Sequence, residues 1–334
     1  MKTTLVITSI SPPSYILKEF AKGCVANQWD YILIGDDSSP LNFKINNCQF
    51  FGLKAQQNMP FKLAKILPVN HYARKNLGYL QAMQNRTQVI VESDDDNLPL
   101  ESFWTLRAQW LNSHSIEDCG WTNVYSYFSK KNVWPRGFPL EELQKKWPAL
   151  ATKKVMATNG PIQQGLANGD PDVDAVYRLT INKNIAFQAN KKHVAIGQNT
   201  WCPFNSQNTT WFKDAFQLLY LPSYCNFRMT DIWRSFVAQR ICWENHWMID
   251  FHYPTVLQER NNHNLLKDFK GEIEGYLHNH AICRNMEKLK LKGGIKNIEE
   301  DMLSCYNEFV AMKLIPKSEI KLLKVWFNDV AKTM

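Results

Sequence analysis

Two acidic groups stand where short apolar runs end. Asp36 and Asp37 follow Tyr31-Ile32-Leu33-Ile34-Gly35, and Asp94, Asp95 and Asp96 follow Gln88-Val89-Ile90-Val91-Glu92. Three adjacent carboxylates on a turn repel one another unless a cation sits among them. A hard divalent cation, Mn²⁺ or Mg²⁺, takes few carboxylates and completes its sphere with phosphate oxygens. Asp94 and Asp96 as metal ligands, with Asp95 beside them, suit neutralisation of a diphosphate leaving group such as that of a sugar nucleotide. The plainer reading of the run is a solvated helix cap; its place after an apolar strand favours the metal role. Asp36 or Asp37 can accept hydrogen bonds from a ribose or base, or can close an Asx-turn. Arg74 and Lys75, after Asn70-His71-Tyr72, suit a phosphate or simply open a surface helix.

The elements that must position these groups follow from the apolar pattern. Thr4 to Ile10 reads as a strand stopped by Ser11-Pro12-Pro13-Ser14, and Tyr15, Ile16, Phe20 and Val25 then recur at helical spacing. The runs ending at Ile34 and Glu92 are of the length and composition of buried parallel strands, with a helix between them around Ala73 to Gln84. A further helix is expected after the aspartates, capped by Asp96 or Asn97, with Pro99 in its first turn and Phe103, Leu106, Trp110 and Leu111 on one face. This alternation predicts a doubly wound, mostly parallel sheet over about the first 115 residues, and ligands of such sheets bind beyond the carboxyl ends of the strands. Residues 120 to 230 read as short strands and long polar loops. A helix returns over Thr230 to Asn245, with Ile232, Phe236 and Ile241 as its apolar face. From about Leu265 the pattern is helical and basic, around a break at Gly293-Gly294. The division expected is a nucleotide-binding and catalytic region, 1–260, followed by a helical extension, 261–334.

Composition narrows the partners. The 334 residues are 45% hydrophobic, with 12 Trp, 18 Phe and 12 Tyr, enough for a substantial core. Lys and Arg outnumber Asp and Glu 39 to 31, a net +8 that suits nucleotide diphosphates, phosphorylated acceptors or an anionic membrane surface. No basic stripe interleaved with aromatics occurs, so nucleic acid is not expected. The eight cysteines are scattered without a CxxC or Cys/His cluster, so a structural zinc site is not expected. The chain opens as a strand and holds no run of eighteen apolar residues, so a cytoplasmic, reducing setting is expected. Lys288 to Lys296, together with Ile320, Leu322, Leu323, Val325 and Trp326, offers a peripheral contact with anionic lipid, or a helix packed on the core.

A further set of segments carries a resemblance. Trp134-Pro135-Arg136-Gly137-Phe138-Pro139-Leu140-Glu141 is similar to the WPRG-x-PLE signature of the STELLO glycosyltransferase-like family. Ile162-Gln163-Gln164-Gly165, Asn168-Gly169-Asp170-Pro171-Asp172-Val173-Asp174, Pro203-Phe204-Asn205-Ser206-Gln207-Asn208-Thr209 and Asp231-Ile232-Trp233-Arg234 with Gln239-Arg240 follow in the family's order. So do Arg74 to Leu80 and the aspartate cluster, which here reads Glu92-Ser93-Asp94 where the family tends to place aspartate first. The segment Asp170 to Ala175 and the Asp-x-Trp at Asp231 are similar, more distantly, to the reversibly glycosylated polypeptides, which include UDP-arabinopyranose mutases. The plant STELLO pattern also has an N-terminal membrane anchor that this sequence does not show, as expected of a soluble, microbial relative.

The resemblance implies a GT-A-like (Rossmann-like) α/β fold and metal-dependent transfer of a sugar from a nucleoside-diphosphate donor, UDP-linked, to a glycan, lipid-linked or other hydroxyl acceptor. A nucleotide-sugar mutase and a non-catalytic scaffold are the alternatives. In that context Arg136 reads as a clamp on phosphate or acceptor, or as a salt bridge holding its loop. Asp170, Asp172 and Asp174 bind sugar hydroxyls or fix the turn at Pro171, and Asn205, Gln207 and Asn208 offer amides to a sugar or to loop backbone. Asp231 heads a helix, as general base toward the acceptor or as a cap alone, with Asp172 among the carboxylates that could take the base's role. Arg234, in the same motif, joins the donor-binding set. His252 and His263 are candidates to complete the metal sphere.

Overall fold

In the computed structural model, which describes residues 1–181, 184–189, 192–259 and 264–333, the sheet grows from β1 (Thr3–Thr8). This run of β-branched and apolar residues is buried at all but its last position. Ser14 then caps α1 (Tyr15–Asn27), its side chain accepting the Leu17 N–H, and Gln28 ends the helix in the left-handed region at φ 57°. α1 buries Ile16, Leu17, Phe20, Ala21 and Cys24, whereas Tyr15 and Val25 of the expected apolar face are turned to solvent. The chain continues through β2 (Asp30–Ile34), β3 (Gln49–Phe51), α2 (Leu53–Gln57), α3 (Lys75–Gln84) and β4 (Val89–Asp94). Glycine at position 78 lets α3 lie close on the sheet: a Cβ there would stand 2.6 Å from Val6 Cγ1 and 3.0 Å from Ile34 Cγ1.

Beyond β4 come β5 (Asn97–Pro99), β6 (Trp110–Ile116), β7 (Gly120–Trp121), β8 (Val155–Asn159), β9 (Ile162–Gly169), α4 (Ala175–Thr180), β10 (His193–Ile196), β11 (Thr200–Trp201), β12 (Asn208–Phe212), α5 (Thr230–Glu244) and β13 (Ile249–Gln258). The order in the large sheet is β3-β2-β1-β4-β12-β9-β13-β10-β6-β8, with β5 on β13. β3, β2, β1 and β4 are all parallel. β12 enters antiparallel between β4 and β9, and the sheet is mixed from there on. β7 and β11 form a separate parallel pair. The result is a sheet flanked by helices, consistent with a GT-A-like fold.

The helix expected after the aspartates does not form. Asn97–Pro99 instead pairs antiparallel with Val256–Gln258, which commits the backbone a helix would need. Glu101–Trp104 makes a single 3-10 turn, and Trp110 and Leu111 open β6. Phe103 alone of the apolar series is fully buried, its ring against Phe20 and Trp29, while Leu106 is 87% and Trp110 63% exposed.

Three helices close the chain: α6 (Leu265–Glu287), α7 (Ile298–Ala311) and α8 (Ser318–Thr333), with Gly293 and Gly294 at φ 68° and 82° making the turn before α7. They share one hydrophobic cluster with the sheet, running from Val6 to Val330. α8 places Leu322, Leu323 and Trp326 in that core, and the Trp326 indole donates to the Gln217 carbonyl at 3.0 Å. Its apolar face is therefore occupied, and Lys321 and Lys324 face outward. No helix among the described residues is long and apolar enough to cross a membrane. All eight cysteines are free thiols.

α5 is buried around nearly its whole circumference, the state expected of a helix threaded through a core. It carries Arg234, whose guanidinium meets the fully buried Glu92 of β4 at 2.7 and 3.1 Å and lies over the Trp211 ring. Trp211 Nε1 donates to the same carboxylate at 2.8 Å, and so does the Tyr79 hydroxyl. Glu92→Gln leaves a buried guanidinium without its counter-charge, and a loss of about 3–5 kcal/mol is expected. Urea denaturation reads it as a lowered midpoint at unchanged slope; a loss under about 1 kcal/mol would show that the ring and the remaining dipoles suffice to hold Arg234.

Candidate functional site

A cleft of about 570 Å³ opens at the carboxyl ends of β1, β2 and β4. Its floor is the chain leaving these strands: Ser9 to Ser11, Gly35 and Asp36, and Asp94 to Asp96. The placement follows from parallel topology, which brings the ends of consecutive strands to one edge of the sheet.

At one end stands Asp36. Its Oδ2 accepts the His71 N–H at 2.9 Å and its Oδ1 the Asp37 N–H at 2.8 Å, so the carboxylate ties the end of β2 to the segment before α3 and also lines the cleft. Asp37 itself is exposed and outside the lining. Arg74 is not on a surface helix start. It is 2% exposed, donates through Nε to Gln56 Oε1 at 2.7 Å and through Nη1 to the carbonyls of Leu67 and Pro68. Its Nη2 is buried without a hydrogen-bond partner, in a side chain that borders the cleft. Burial pulls the Arg74 pKa below its ordinary value, and the nearby Asp36 opposes that pull.

The aspartate run occupies the middle. Asp94 receives the Tyr72 hydroxyl at 3.2 Å and faces the buried Lys75 ammonium at 3.5 Å. Lys75 also donates to the Tyr72 hydroxyl at 2.8 Å and to the Ser93 carbonyl at 2.9 Å. Asp95 accepts from the Ser9 hydroxyl, and Asp96 Oδ2 from Gln258 Nε2 at 3.1 Å. The Asp94 side chain keeps 34% of its surface exposed. Desolvation within the cleft pushes its pKa up to about 7; Lys75 works against this and the charges of Asp96, Asp231 and Asp95 add to it. Among the described residues no three His, Cys, Asp or Glu side chains form a metal-binding group.

At the far end the Trp-Pro-Arg-Gly loop meets the Asp-Pro-Asp-Val-Asp loop. Pro135 bridges Val173, and the Arg136 N–H donates to the Asp172 carbonyl at 3.2 Å. Gly137 sits at φ 86°, where a Cβ would stand 2.4 Å from Ile232 Cγ2, so only glycine fits against α5. The Arg136 guanidinium thereby enters the cleft between two carboxylates. It binds Asp172 bidentately at 2.7 and 2.6 Å and both oxygens of Asp231 at 3.0 Å. Asp231 Oδ2 also accepts from the Ser206 N–H and hydroxyl, each at 3.1 Å. Burial opposes its charge, but Arg136, Arg234 and the Ser206 N–H together hold the carboxyl below its ordinary range. Against the same burial, Asp172 and Asp231 hold the Arg136 proton more firmly than usual.

Gln207 lines the cleft as well and ties its walls together, donating to Gln258 Oε1 at 2.5 Å and accepting the Asp172 N–H at 3.3 Å. Other polar residues of the motifs are turned away from it. Asp174 caps α4, accepting the Tyr177 N–H at 2.7 Å and the Trp134 indole at 2.6 Å, and burial pushes its pKa up to about 7 against those bonds. Asp170 pairs with Arg178, which itself reaches the lining. Asn205 and Asn208 are buried in loop and strand contacts, Asn208 donating to the Leu166 carbonyl at 3.1 Å and to Thr255 Oγ1 at 2.8 Å. Arg234 lies behind the floor on Glu92. His252 is buried in β13 next to His193, where desolvation lowers its pKa to about 3, and it does not border the cleft. His263 lies outside the described residues.

Tyr72, Ser206, Arg228 and Gln258 line the cleft too, and the sequence reading assigns none of them any chemistry. Tyr72 precedes Arg74 by two residues, and Ser206 stands between Asn205 and Gln207; adjacency to the charged and amide positions is the available signal.

The cleft defines the class: an α/β protein with an acidic cluster and a buried arginine network at the carboxyl edge of its parallel strands. Residues 228–334 match the family described as STELLO glycosyltransferases. "Probable glycosyltransferase STELLO2" of Arabidopsis thaliana is 29% identical over 270 residues, covering 75% of this chain and 35% of that protein. "Probable glycosyltransferase STELLO1" of the same plant is 28% identical over the same shares. The chain thus spans about a third of the length of these curated relatives, to which it is similar over three quarters of its own length. A crystal structure of a mycobacterial protein aligns with 84% of this chain and 75% of its own at 10% identity, with a TM-score of 0.38, too slight a likeness to support an argument.

Proposed function

We propose that this chain is a metal-dependent glycosyltransferase that transfers a sugar from a UDP-linked donor to a hydroxyl of a glycan or lipid-linked acceptor. The observation that carries the reading is the run of contacts along one cleft: Asp36 meets His71, the adjacent Tyr72 meets Asp94 and Ser206, and Ser206 meets Asp231, which shares Arg136 with Asp172. A nucleoside, a diphosphate and a sugar come in that same order.

At the nucleoside end Asp36 offers acceptor oxygens, and Arg74 Nη2 offers a donor that lacks a partner. A base edge that sets an N–H beside an acceptor, such as the imide of uracil, suits both groups. In the middle, Asp94 and Asp96 would hold Mn²⁺ or Mg²⁺. Few hard carboxylate oxygens and no closed ligand cage make a set in which substrate phosphates complete the coordination. When bound, the cation supplies charge neutralisation to the departing diphosphate. Lys75 adds a fixed positive charge beside Asp94.

At the far end Asp231 is ionised across neutral pH and held in place by Arg136 and Ser206. A low-pKa carboxylate is a weak base, but an acceptor hydroxyl becomes strongly acidic once its oxygen bonds to an oxocarbenium-like carbon. Late proton transfer to Asp231 is then downhill. Thermal unfolding with a panel of nucleoside diphosphates and nucleotide sugars, with and without Mn²⁺, tests the reading. A ligand at about a hundred times its Kd stabilises the folded state by about 2.7 kcal/mol. UDP and UDP-sugars are expected to raise Tm only with the cation; no shift with any nucleotide would overturn the proposal.

A further inference from the structure

Phe227 lines the cleft with 60% of its surface exposed. A single exposed phenyl ring means little in itself; the mounting of this one gives it meaning. It sits on the 3-10 turn Phe227–Met229, whose cap Asn226 accepts the Arg228 N–H at 3.0 Å through its side chain and the Met229 N–H at 2.8 Å through its carbonyl. The residues after it are anchored downward. The Arg228 guanidinium is held on the buried Glu272 of α6 at 2.6 Å, the Arg228 carbonyl accepts from the Arg136 guanidinium, and Met229 is buried. The ring itself touches Tyr72 edge-on, with centroids 5.7 Å apart and planes at 77°. A stiff turn therefore holds a phenyl ring at the cleft wall, while its neighbours in sequence are tied to the carboxylate–guanidinium network beneath.

We infer that Phe227 is a stacking platform for a sugar ring bound in the cleft. A pyranose presents an apolar C–H face and an edge of hydroxyls. The phenyl face receives the first, as aromatic rings receive other partners with positive hydrogen edges, and Asp172, Asp231 and Gln207 accept or donate to the second. The inference deepens the glycosyltransferase reading and rests on it for the identity of the cleft, but not for the recognition chemistry. The ring can belong to the donor or to the acceptor, and the test separates them.

Phe227→Ala and Phe227→Trp are compared with the wild type by calorimetric titration of UDP and UDP-glucose with Mn²⁺. In parallel, saturation-transfer NMR follows a panel of methyl glycosides of glucose, galactose, mannose, xylose and arabinose. If the donor ring stacks, Phe227→Ala weakens UDP-glucose roughly three- to ten-fold, leaves UDP unchanged, and Phe227→Trp restores the difference. If the acceptor ring stacks, both nucleotides bind as in the wild type, while a methyl glycoside that contacts the wild type and the Trp variant loses its signal in the Ala variant. Equal behaviour of all three proteins toward every sugar, or an equal loss for UDP and UDP-glucose, overturns the platform. No nucleotide binding by the wild type, together with a Phe227-dependent glycoside signal, sinks the nucleotide-donor reading and leaves the platform standing.

Discussion

Asp94→Asn with Asp96→Asn is expected to abolish the cation-dependent part of UDP binding, and either change alone to weaken it on the order of a hundred-fold, about 2.8 kcal/mol. The expectation rests on how few ligands the cleft offers. Beside a cation held by two carboxylates and phosphate oxygens, loss of one ionic ligand is not made good by a neighbour. Asp95 is engaged by Ser9, and Asp96 receives Gln258. The fold should persist in the variants, because Lys75 keeps the Tyr72 hydroxyl and the Ser93 carbonyl when Asp94 loses its charge. Calorimetric titration of UDP at fixed ionic strength, with Mn²⁺ and with chelator, reads the difference. Cation-dependent binding that survives in the double variant removes the aspartate run from the metal site.

The placement of Asp36 and of Asp94 to Asp96 was legible because short apolar runs define parallel strands and parallel strands open on one edge. The segment from Asn97 to Leu111 shows the limit of periodicity. Phe103, Leu106 and Trp110 fit a helical stripe, but pairing of Asn97–Pro99 with β13 decided the matter through residues far along the chain. The same holds within the cleft. A motif announces that Asn208, Asp174 or Arg234 is polar, but not that its hydrogen bonds are already met by Leu166, Tyr177 or Glu92. Tyr72 and Ser206 touch across 134 positions of sequence, a distance at which no local pattern operates. The C-terminal helices read as a basic extension, yet their acidic residues do much of the joining. Glu272 holds Arg228 and the Ala175 N–H, Glu319 accepts the Ser223 and Tyr224 N–H groups, and Asp329 accepts that of Leu63. A carboxylate on a helix looks solvated until a partner from elsewhere in the chain is set beside it.

Asp231→Asn is expected to lower sugar transfer by roughly a hundred- to ten-thousand-fold while leaving UDP binding within about twofold of the wild type. The amide keeps the shape of the carboxyl and one acceptor oxygen for the Ser206 N–H. Arg136 keeps its bidentate pair with Asp172, so the loop geometry survives. What is lost is the ionised oxygen that orients an acceptor hydroxyl and takes its proton. A parallel change in stability identifies the variant's electrostatic effect separately. Because the folded pKa of Asp231 lies below the unfolded value of about 3.9, its ionic contribution is complete above that value and disappears as pH falls through the folded one. Wild type and variant should therefore differ most in denaturation midpoint near neutrality and approach each other as pH falls below the ordinary carboxyl range. If transfer stays near the wild-type rate while that stability gap appears, Asp231 serves only to hold Arg136, and Asp172 becomes the carboxylate to test as base. If both the gap and the loss of transfer appear, the residue acts on the substrate as well as on its arginine.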